Sequence, residues 1–261
     1  MPLKPIVKWS GGKGDELSKF QEHIPTDYDT YLEPFIGGGA LYFNLQPKKA
    51  AISDVHIELI DLYQNIKLDK GEEIHQFMQQ HPNTEEVYYQ VRDQMPINTS
   101  LDNAKRFYFL RKTCYRGMLR YNKSGGFNIP FGRYKTYNFE TVKDPAYHQL
   151  LSKTDIFCDG FQKLFQDYNS KDNFMFLDPP YDSKFTDYGY CQFGRDKQEE
   201  LAKCFKETEI RCLMIIGKTP FIEELYQDYI VGEYDKKYRF KLHSGRIGDD
   251  INNQHLIIKN Y

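Results

Sequence analysis

Short apolar segments alternate along the chain with stretches of helical periodicity. The apolar segments are nearly continuous, as in strands buried on both faces, and they are 30-TYLEPF-35, 50-AAIS-53, 154-TDIFCD-159, 173-NFMFLD-178, 211-RCLMIIG-217 and 255-HLIIKNY-261. Between them lie helical patterns such as 56-HIELIDLYQNIK-67 and 196-DKQEELAKCFKET-208. Buried strands that alternate with helices predict an α/β domain around a largely parallel sheet.

A different region interrupts this alternation between the second and third predicted strands. Residues 71–112 have helical character with breaks at Pro82 and Pro96, and residues 113–139 have the Gly, Asn and aromatic content of loops. Upstream of the first strand, residues 8–24 indicate a Gly-rich loop that runs into a helix. We therefore predict an α/β domain with an insertion, with bounds 1–67 and 140–261 for the domain and 68–139 for the insertion.

The charge distribution distinguishes this insertion from the rest of the chain. The whole chain has a net charge of −2, which argues against a generic nucleic-acid binder. Residues 103–139, however, contain no acid and nine cations, which are Lys105, Arg106, Arg111, Lys112, Arg116, Arg120, Lys123, Arg133 and Lys135. The rest of the chain contains the other 26 of the 35 Lys and Arg residues and all 37 Asp and Glu residues, so its net charge is −11. A one-signed stretch interleaved with aromatic residues favours a polyanion surface over a solvated helix face, where both signs usually mix.

The composition gives no support to membrane, disulfide-rich or zinc proteins. The longest apolar runs, such as 213-LMII-216, are too short to cross a bilayer, and residues 1–10 lack the apolar core of a signal peptide. A cytoplasmic location is therefore the default expectation. The five cysteines form no C-x-x-C pair and the seven histidines show no ligand spacing, so we expect neither disulfides nor a bound metal.

Acids and glycines follow two of the predicted strands, at the edge where open parallel sheets bind ligands. Glu33 precedes Gly37, Gly38 and Gly39, which let the backbone approach a ligand closely before a helix offers its free N–H groups. Asp54 ends the next strand, where an acid either holds a ribose hydroxyl pair or caps the following helix. No Walker A sequence is present, so the two features together suggest an adenosine-containing cofactor without phosphates to bind.

The stretch 176-FLDPPY-181 carries more specific chemistry at a third strand end. Prolines cannot donate to a sheet ladder, so the strand stops and the carbonyls of Pro179 and Pro180 are expected to remain rigid, free acceptors. Asp178 can accept hydrogen bonds from an amino group, and Tyr181 offers a face for stacking a ring. An acid, a carbonyl and a ring suit the exocyclic amine of a base that has left its stack, although a plain Pro-rich turn is the alternative.

The motifs and their order resemble the Dam-type DNA adenine-N6 methyltransferases. The resemblance covers nearly the whole chain and rests on 8-KWSGGK-13, 33-EPFIGGGALYFN-44, 51-AISDVHIELIDLYQNIK-67, 120-RYNKSGGFNIPFGRYK-135, 178-DPPY-181 and 256-LIIKNY-261. So many stretches in the family's order make chance a poor explanation. The resemblance implies a Rossmann-like, mostly parallel seven-stranded sheet with an inserted helical DNA-recognition domain.

The resemblance also implies S-adenosylmethionine as cofactor, double-stranded DNA as partner, and a set of site residues. Those matching the family's cofactor site are Trp9, Lys13, Glu33, Phe35, Gly37, Gly39, Asp54, Asp159, Phe161 and Asp178. Those matching its catalytic loop are Asp178, Pro179, Pro180 and Tyr181. Those matching its DNA-binding hairpin are Arg116, Arg120, Asn122, Lys123, Asn128, Pro130, Arg133 and Lys135. The implied reaction is direct methyl transfer to N6 of a flipped adenine, without a metal or a covalent intermediate.

Two departures from the family concern the target rather than the chemistry. Arg116 stands where many relatives with a G-A-T-C target carry the Asn of an Asn-Gly pair, and 217-GKTPF-221 replaces the usual Ser-Asn. G-A-T-C is nevertheless the first target sequence that we expect.

Three alternative functions stay open. They are an N4-cytosine methyltransferase, an RNA N6-adenine methyltransferase and a non-catalytic DNA-binding module. A bacterial, phage or viral origin is expected, while a cognate restriction endonuclease and the oligomeric state stay open.

Overall fold

One seven-stranded sheet organises the part of the chain that the structure, a computed structural model, describes: residues 2–182, 193–237 and 252–261. Its parallel strands are β1 (Tyr31–Glu33), β2 (Ala50–Ser53), β3 (Thr154–Phe157), β4 (Phe174–Leu177) and β5 (Arg211–Gly217). Two antiparallel pairings then add β7 (Asn252–Lys259) beside β5 and β6 (Ile230–Lys237) at the edge. The spatial order is β3-β2-β1-β4-β5-β7-β6.

Ten α-helices connect or cover the strands within these described ranges. They are α1 (Leu17–Phe20), α2 (Ala40–Leu45), α3 (Ile57–Lys67), α4 (Gly71–Gln80), α5 (Glu85–Asp93), α6 (Ser100–Thr113), α7 (Pro145–Leu151), α8 (Gln162–Asp167), α9 (Arg195–Glu207) and α10 (Pro220–Tyr226). Short 3-10 turns occupy Lys13–Asp15, Gln21–His23, Tyr115–Gly117, Glu140–Lys143 and Gln227–Tyr229. No helix of the described ranges is long and apolar enough to span a membrane.

Side chains of the central strands point alternately into two apolar layers. Tyr31 and Phe176 belong to the layer that α2, α3 and α6 cover, whereas Leu32 and Leu177 belong to the layer that α8, α9 and α10 cover. Burial on both faces explains why these strands are nearly continuous apolar runs in the sequence. The alternation also fixes the register, since a shift by one residue would exchange the two layers.

The segment 68–139 contributes α4, α5, α6 and an irregular hairpin, and its residues form none of the seven strands. It is not separated from the sheet by packing, because α6 lies against α3 and its Phe107 and Phe109 belong to the same apolar layer as Tyr31. A capping box at Thr99 and Asp102 begins α6. The segment therefore rests on one face of the α/β core, and its bounds as a separate domain stay a sequence prediction.

The strand order puts a topological switch point at the carboxyl ends of β1 and β4. Tyr31 pairs in register with Ala50 on one side and Phe174 on the other, so β1, β2 and β4 end at the same level. The chain runs from β1 to β2 on one side and from β4 to β5 on the other, and open α/β sheets bind their ligands where the connections diverge in this way. Glu33 ends β1 at that edge, and Asp54 and Asp178 follow β2 and β4 there.

The predicted parallel α/β architecture is confirmed, and two local predictions need correction. The predicted helix within residues 8–24 is broken into a single α-helical turn flanked by 3-10 turns. Strand β6 was not predicted, since 230-IVGEYDKK-237 lacks the continuous apolar run of the other strands. Its edge position explains the difference, because an edge strand needs only one buried face.

Candidate active site

At the carboxyl edge of the sheet, Lys13 joins the first loop of the chain to the loop after β4. Lys13 Nζ lies 2.5 Å from Asp178 Oδ1 and donates to the hydroxyl of Tyr181 at 2.8 Å. The Lys13 side chain is 2% exposed and that of Asp178 is 20% exposed, so the ion pair is shielded but its acid remains reachable. The loop after 8-KWSGG-12 thus places a cation directly against the acid of D-P-P-Y.

The glycine turn after β1 is built around the indole of Trp9. A Cβ at Gly37 would lie 2.6 Å from Trp9 Nε1, and one at Gly38 would lie 2.8 Å from Trp9 Cβ, so larger residues would displace the ring. Gly37 and Gly39 also have φ of +44° and +67°, which favour glycine. The Gly37 carbonyl accepts a hydrogen bond from Tyr63 Oη at 2.8 Å. The backbone of the turn is therefore fixed, and its glycines are buried against the Trp9 and Phe43 side chains.

Asp54 connects the glycine turn to the start of α3. Its Oδ2 accepts from the Gly37 N–H at 2.9 Å and its Oδ1 accepts from the His56 N–H at 3.0 Å. The alternative prediction that Asp54 caps α3 is wrong, since His56 is the N-cap and its Nδ1 accepts from Leu59 N. The Val55 N–H also donates to the Asp54 carboxylate. An ionised carboxylate offers about four acceptor sites, so about one remains for a hydroxyl.

Glu33 lies beneath the glycine turn rather than at its surface. Its side chain accepts a 2.6 Å hydrogen bond from the Tyr31 hydroxyl, and the residue is 3% exposed. Burial raises the pKa of Glu33 well above its ordinary value, and repulsion from Asp178 and Asp54 acts in the same direction. These contacts give Glu33 a supporting position, and its direct contact with a cofactor stays a prediction.

An aromatic group borders the site beside β3. Phe35 stacks on Phe161 with ring centroids 5.7 Å apart, and Phe193 meets Phe35 edge-on at 5.6 Å. Asp159 is exposed, with its Oδ1 accepting from the Gly160 N–H at 2.7 Å. The Ser53 hydroxyl donates to the Asp159 carbonyl at 2.7 Å, which ties the end of β3 to the end of β2. Phe161 and Asp159 therefore lie at the same sheet edge as Asp54.

The two prolines of D-P-P-Y differ in what their carbonyls bind. The Pro180 carbonyl accepts a 2.7 Å hydrogen bond from Gln198 Nε2 on α9, so the expectation that both carbonyls remain free is wrong for Pro180. Gln198 is 1% exposed, and the contact fixes the loop against the helix. Pro179 is then the carbonyl that we assign as an acceptor for an amino group.

The hairpin of residues 113–135 presents cations on its outer side. Two isolated antiparallel bridges, Cys114 with Phe131 and Tyr121 with Phe127, hold it together. The side chain of Asn122 closes its tip by accepting from Ser124 and from the Gly126 N–H. The exposed residues among those predicted to bind DNA are Arg116, Arg120, Asn122, Lys123, Pro130, Arg133 and Lys135, while Asn128 is half-buried.

Comparison with known proteins matches this chain to one enzyme family. A family model described as D12 class N6 adenine-specific DNA methyltransferase matches residues 9–242. The chain belongs to the D12 class of N6 adenine-specific DNA methyltransferases. It is 56% identical over 261 residues to the type II methyltransferase M.CviBI of Paramecium bursaria Chlorella virus NC1A, across 99% of this chain and 100% of that protein.

Relatives from other sources agree with this assignment. The methyltransferase is 33% identical over 294 residues to the type II methyltransferase M.MjaIII of Methanocaldococcus jannaschii, across 100% of both chains. It is 31% identical over 237 residues to the DNA adenine methylase of Haemophilus influenzae, across 85% of this chain and 82% of that protein. The family favours adenine N6 in DNA over the cytosine, RNA and non-catalytic alternatives.

Sequence reasoning missed a polar network behind the catalytic loop of the methyltransferase. The Tyr181 ring meets His255 edge-on at 5.3 Å, and His255 Nδ1 lies 2.8 Å from Glu16 Oε2. Glu16 also binds Tyr234 Oη and Lys236 Nζ, each at 2.7 Å. Although burial opposes ionisation, hydrogen bonds from His255 and Lys236 lower the pKa of Glu16 to about 2. No local pattern reveals this network, because its members lie on distant strands and the first loop.

The positive charge beside Asp178 comes from a lysine side chain. No group of three or more His, Cys, Asp or Glu residues within the described ranges has the arrangement to hold a metal ion. The charged group that faces Asp178 is instead the Lys13 ammonium. Burial raises the pKa of the Asp178 carboxyl, and the Lys13 charge acts against that rise.

Replacing Lys13 by methionine should shift the acidic limb of the pH–rate profile to higher pH. Without the ammonium, the rise in the pKa of Asp178 that burial causes meets less opposition, so the acid loses its charge at a higher pH. Methyl transfer at saturating substrates should be measured across the acidic range. Lys13→Arg keeps the charge and should leave the limb near that of the wild type; an unmoved limb in Lys13→Met would show that Lys13 does not control Asp178.

Proposed function

We propose that the chain transfers a methyl group from S-adenosylmethionine to N6 of an adenine that has been extruded from duplex DNA. The observation that carries this proposal is the cluster of Lys13, Asp178 and Tyr181, which adjoins the Gly37 turn and Asp54 at one sheet edge. A cofactor site and an amine acceptor at the same edge are what direct transfer requires. Membership of the family supports activity as a DNA methyltransferase. The identity of the cofactor and the use of duplex DNA are our inference.

The residues at the sheet edge suit S-adenosylmethionine. Asp54, held in place by the Gly37 and His56 N–H groups, is suited to accept from a ribose hydroxyl, and the buried glycine turn brings main chain close to it. Phe161, with Asp159 beside it, is suited to border the adenine ring. When bound, the cofactor supplies an electrophilic methyl group on a sulfonium. The orientation of that group then depends on the fixed positions of the glycine turn and Asp54.

Asp178 and the Pro179 carbonyl are proposed to accept the two N–H hydrogens of the target amine. The N6 lone pair is delocalised into the ring, and accepting both hydrogens makes it a better nucleophile. The same acceptors would stabilise the positive charge that develops on N6 as the N–C bond forms and the S–CH₃ bond of the sulfonium breaks to leave a thioether. The excess N6 proton would then pass to the Asp178 carboxylate and on to solvent. Tyr181 is suited to stack on the extruded ring, with its hydroxyl held by Lys13 and its ring by His255.

The cationic hairpin is proposed to bind duplex DNA, with Arg120 reading a base edge. Arg120 Nε donates to Asn128 Oδ1 at 2.7 Å and its Nη2 donates to the Asn128 carbonyl at 3.1 Å. These contacts leave the outer edge of the guanidinium for the two acceptors of a guanine. Arg116 lies over the Tyr115 ring, with 5.2 Å from Cζ to the ring centroid, and is suited to a base or phosphate contact. G-A-T-C stays the first target to test.

A binding and sequencing experiment tests the proposed function. The purified chain should bind S-adenosylhomocysteine in calorimetry, and it should transfer tritiated methyl groups from S-adenosylmethionine to duplex DNA. Sequencing of DNA from a host that expresses the chain should then find N6-methyladenine in one short motif, which also shows whether the motif is G-A-T-C. Transfer to cytosine, to RNA alone, or to no nucleic acid would overturn the proposal. If an endonuclease cuts the same motif in the source organism, methylated DNA should resist it.

A further inference from the structure

A buried polar bridge joins the recognition hairpin to the cofactor edge. The hydroxyl of Tyr121, the residue after Arg120, lies 2.8 Å from His56 Nε2 and donates to Glu58 Oε2. His56 is 3% exposed and the Glu58 side chain is 12% exposed. Arg106 Nη1 completes the group by donating to Glu58 Oε1 at 3.0 Å. The backbone step from Arg120 to Tyr121 thus passes from an exposed side chain to a half-buried one.

The protons of this bridge have one consistent arrangement. His56 Nδ1 accepts from Leu59 N at 3.2 Å, so it carries no proton. Burial, with repulsion from Arg111, lowers the pKa of His56 to about 3, so the ring is neutral and its one proton is on Nε2. Nε2 therefore donates to Tyr121 Oη, and the Tyr121 proton goes to Glu58. The Tyr121 hydroxyl therefore accepts a hydrogen bond from His56 and donates one to Glu58, and the two bonds together fix its position.

His56 carries the bridge onward to the groups proposed to hold the cofactor. Its backbone N–H donates to Asp54 Oδ1 at 3.0 Å, and its ring meets Trp9 edge-on with centroids 5.5 Å apart. Asp54 in turn holds the Gly37 N–H. A displacement of Tyr121 would therefore act, through one histidine, on both the proposed ribose acceptor and the indole under the glycine turn.

We infer that Tyr121 is a positioning residue through which DNA on the hairpin and cofactor at Asp54 strengthen each other's binding. The inference rests on the proposed function and deepens it. DNA that engages Arg120 holds the hairpin in place, which fixes Tyr121 against His56 and keeps Asp54 in its binding position. Because linkage is reciprocal, cofactor bound at Asp54 must tighten DNA binding by the same factor.

Calorimetric affinities for S-adenosylhomocysteine, with and without a duplex that contains the methylated motif, test this inference. Such couplings are typically about 5- to 150-fold, so the wild type should bind the probe at least about fivefold more tightly with DNA present. Tyr121→Phe removes only the bridging hydroxyl and should reduce this ratio to less than about twofold. The same loss should appear when DNA affinity is measured with and without the probe.

Two further variants separate coupling from loss of structure. His56→Asn keeps an N-cap for α3 and removes the ring that reaches Tyr121, so it should lose the ratio as well. Tyr108→Phe is the matched control, because its buried hydroxyl donates to the Phe139 carbonyl at 3.1 Å, away from the bridge, and it should keep the ratio. Wild-type coupling that is absent, or that persists in Tyr121→Phe or His56→Asn, would overturn the inference. A wild type that binds neither the probe nor DNA would instead overturn the proposed function.

Discussion

Replacing Asp178 by alanine should reduce methyl transfer at least about 10³-fold while leaving the fold and most cofactor affinity in place. Asp178 is the acid proposed to accept a hydrogen from the target amine and to stabilise the charge on N6. Removing one preorganised group of this kind typically costs about 10²–10³ in kcat, and the variant also leaves the Lys13 ammonium without its carboxylate partner. Single-turnover tritium transfer measures the loss independently of product release.

The amide variant distinguishes the acceptor role from a role in shape. Asp178→Asn keeps the size of the side chain but carries no charge and presents an NH₂ group that can oppose the target amine. We expect it to be nearly as inactive as Asp178→Ala. Asp167→Asn provides the matched control, because Asp167 forms an exposed ion pair with Lys163 on α8 at 2.7 Å and should change activity little. Full activity in Asp178→Ala would end its catalytic assignment.

The architecture could be predicted from the sequence because its determinants are local. Strands buried on both faces appear as apolar runs, and the acids that follow β1, β2 and β4 appear at the ends of those runs. Parallel pairing then brings Glu33, Asp54 and Asp178 to one edge without further information. The residue types and the sheet class were therefore enough to predict where a ligand site would lie.

The contacts between side chains could not be predicted, because they join positions far apart in the chain. Lys13 reaches Asp178 across 165 residues, and Glu16 reaches His255 across 239. Gln198 reaches Pro180 from a helix whose sequence pattern predicts only an amphipathic face. The sequence predicted Lys13 only as a cofactor-binding residue. The structure shows that it also forms an ion pair with Asp178, and this pair opposes the rise in the pKa of that acid.

His56 shows how a local rule failed for a physical reason. An Asp before a helix is normally the better candidate for its N-cap, since its oxygen accepts from the first free N–H groups. Here the Gly37 and His56 N–H groups already bind Asp54, and His56, two residues on, supplies a ring nitrogen as the cap. Because His56 caps α3, the Asp54 carboxylate is not needed at the helix end and stays at the sheet edge.

Replacing Arg120 by alanine should reduce discrimination at one base pair of the target by about 10- to 100-fold. A bidentate contact to guanine contributes about 1–3 kcal/mol of discrimination, and Arg120 is held with the outer edge of its guanidinium exposed. Methylation rates on duplexes that differ at each motif position measure the effect. The loss should be confined to one motif position. Arg133→Ala removes an exposed cation and should instead weaken binding to all duplexes by the same factor.

The Asn128 contact separates base reading by Arg120 from simple attraction to phosphate. Asn128→Ala keeps the charge of Arg120 and the Nη2 contact to the main-chain carbonyl, but it removes the Oδ1 that accepts from Nε and helps to orient the guanidinium. If Arg120 reads a base, discrimination should fall while the salt dependence of binding stays the same, because the number of neutralised phosphates is unchanged. If Arg120 contacts a phosphate, Arg120→Ala should instead lower the salt slope by about 0.9 and leave discrimination intact, and Asn128→Ala should alter neither strongly.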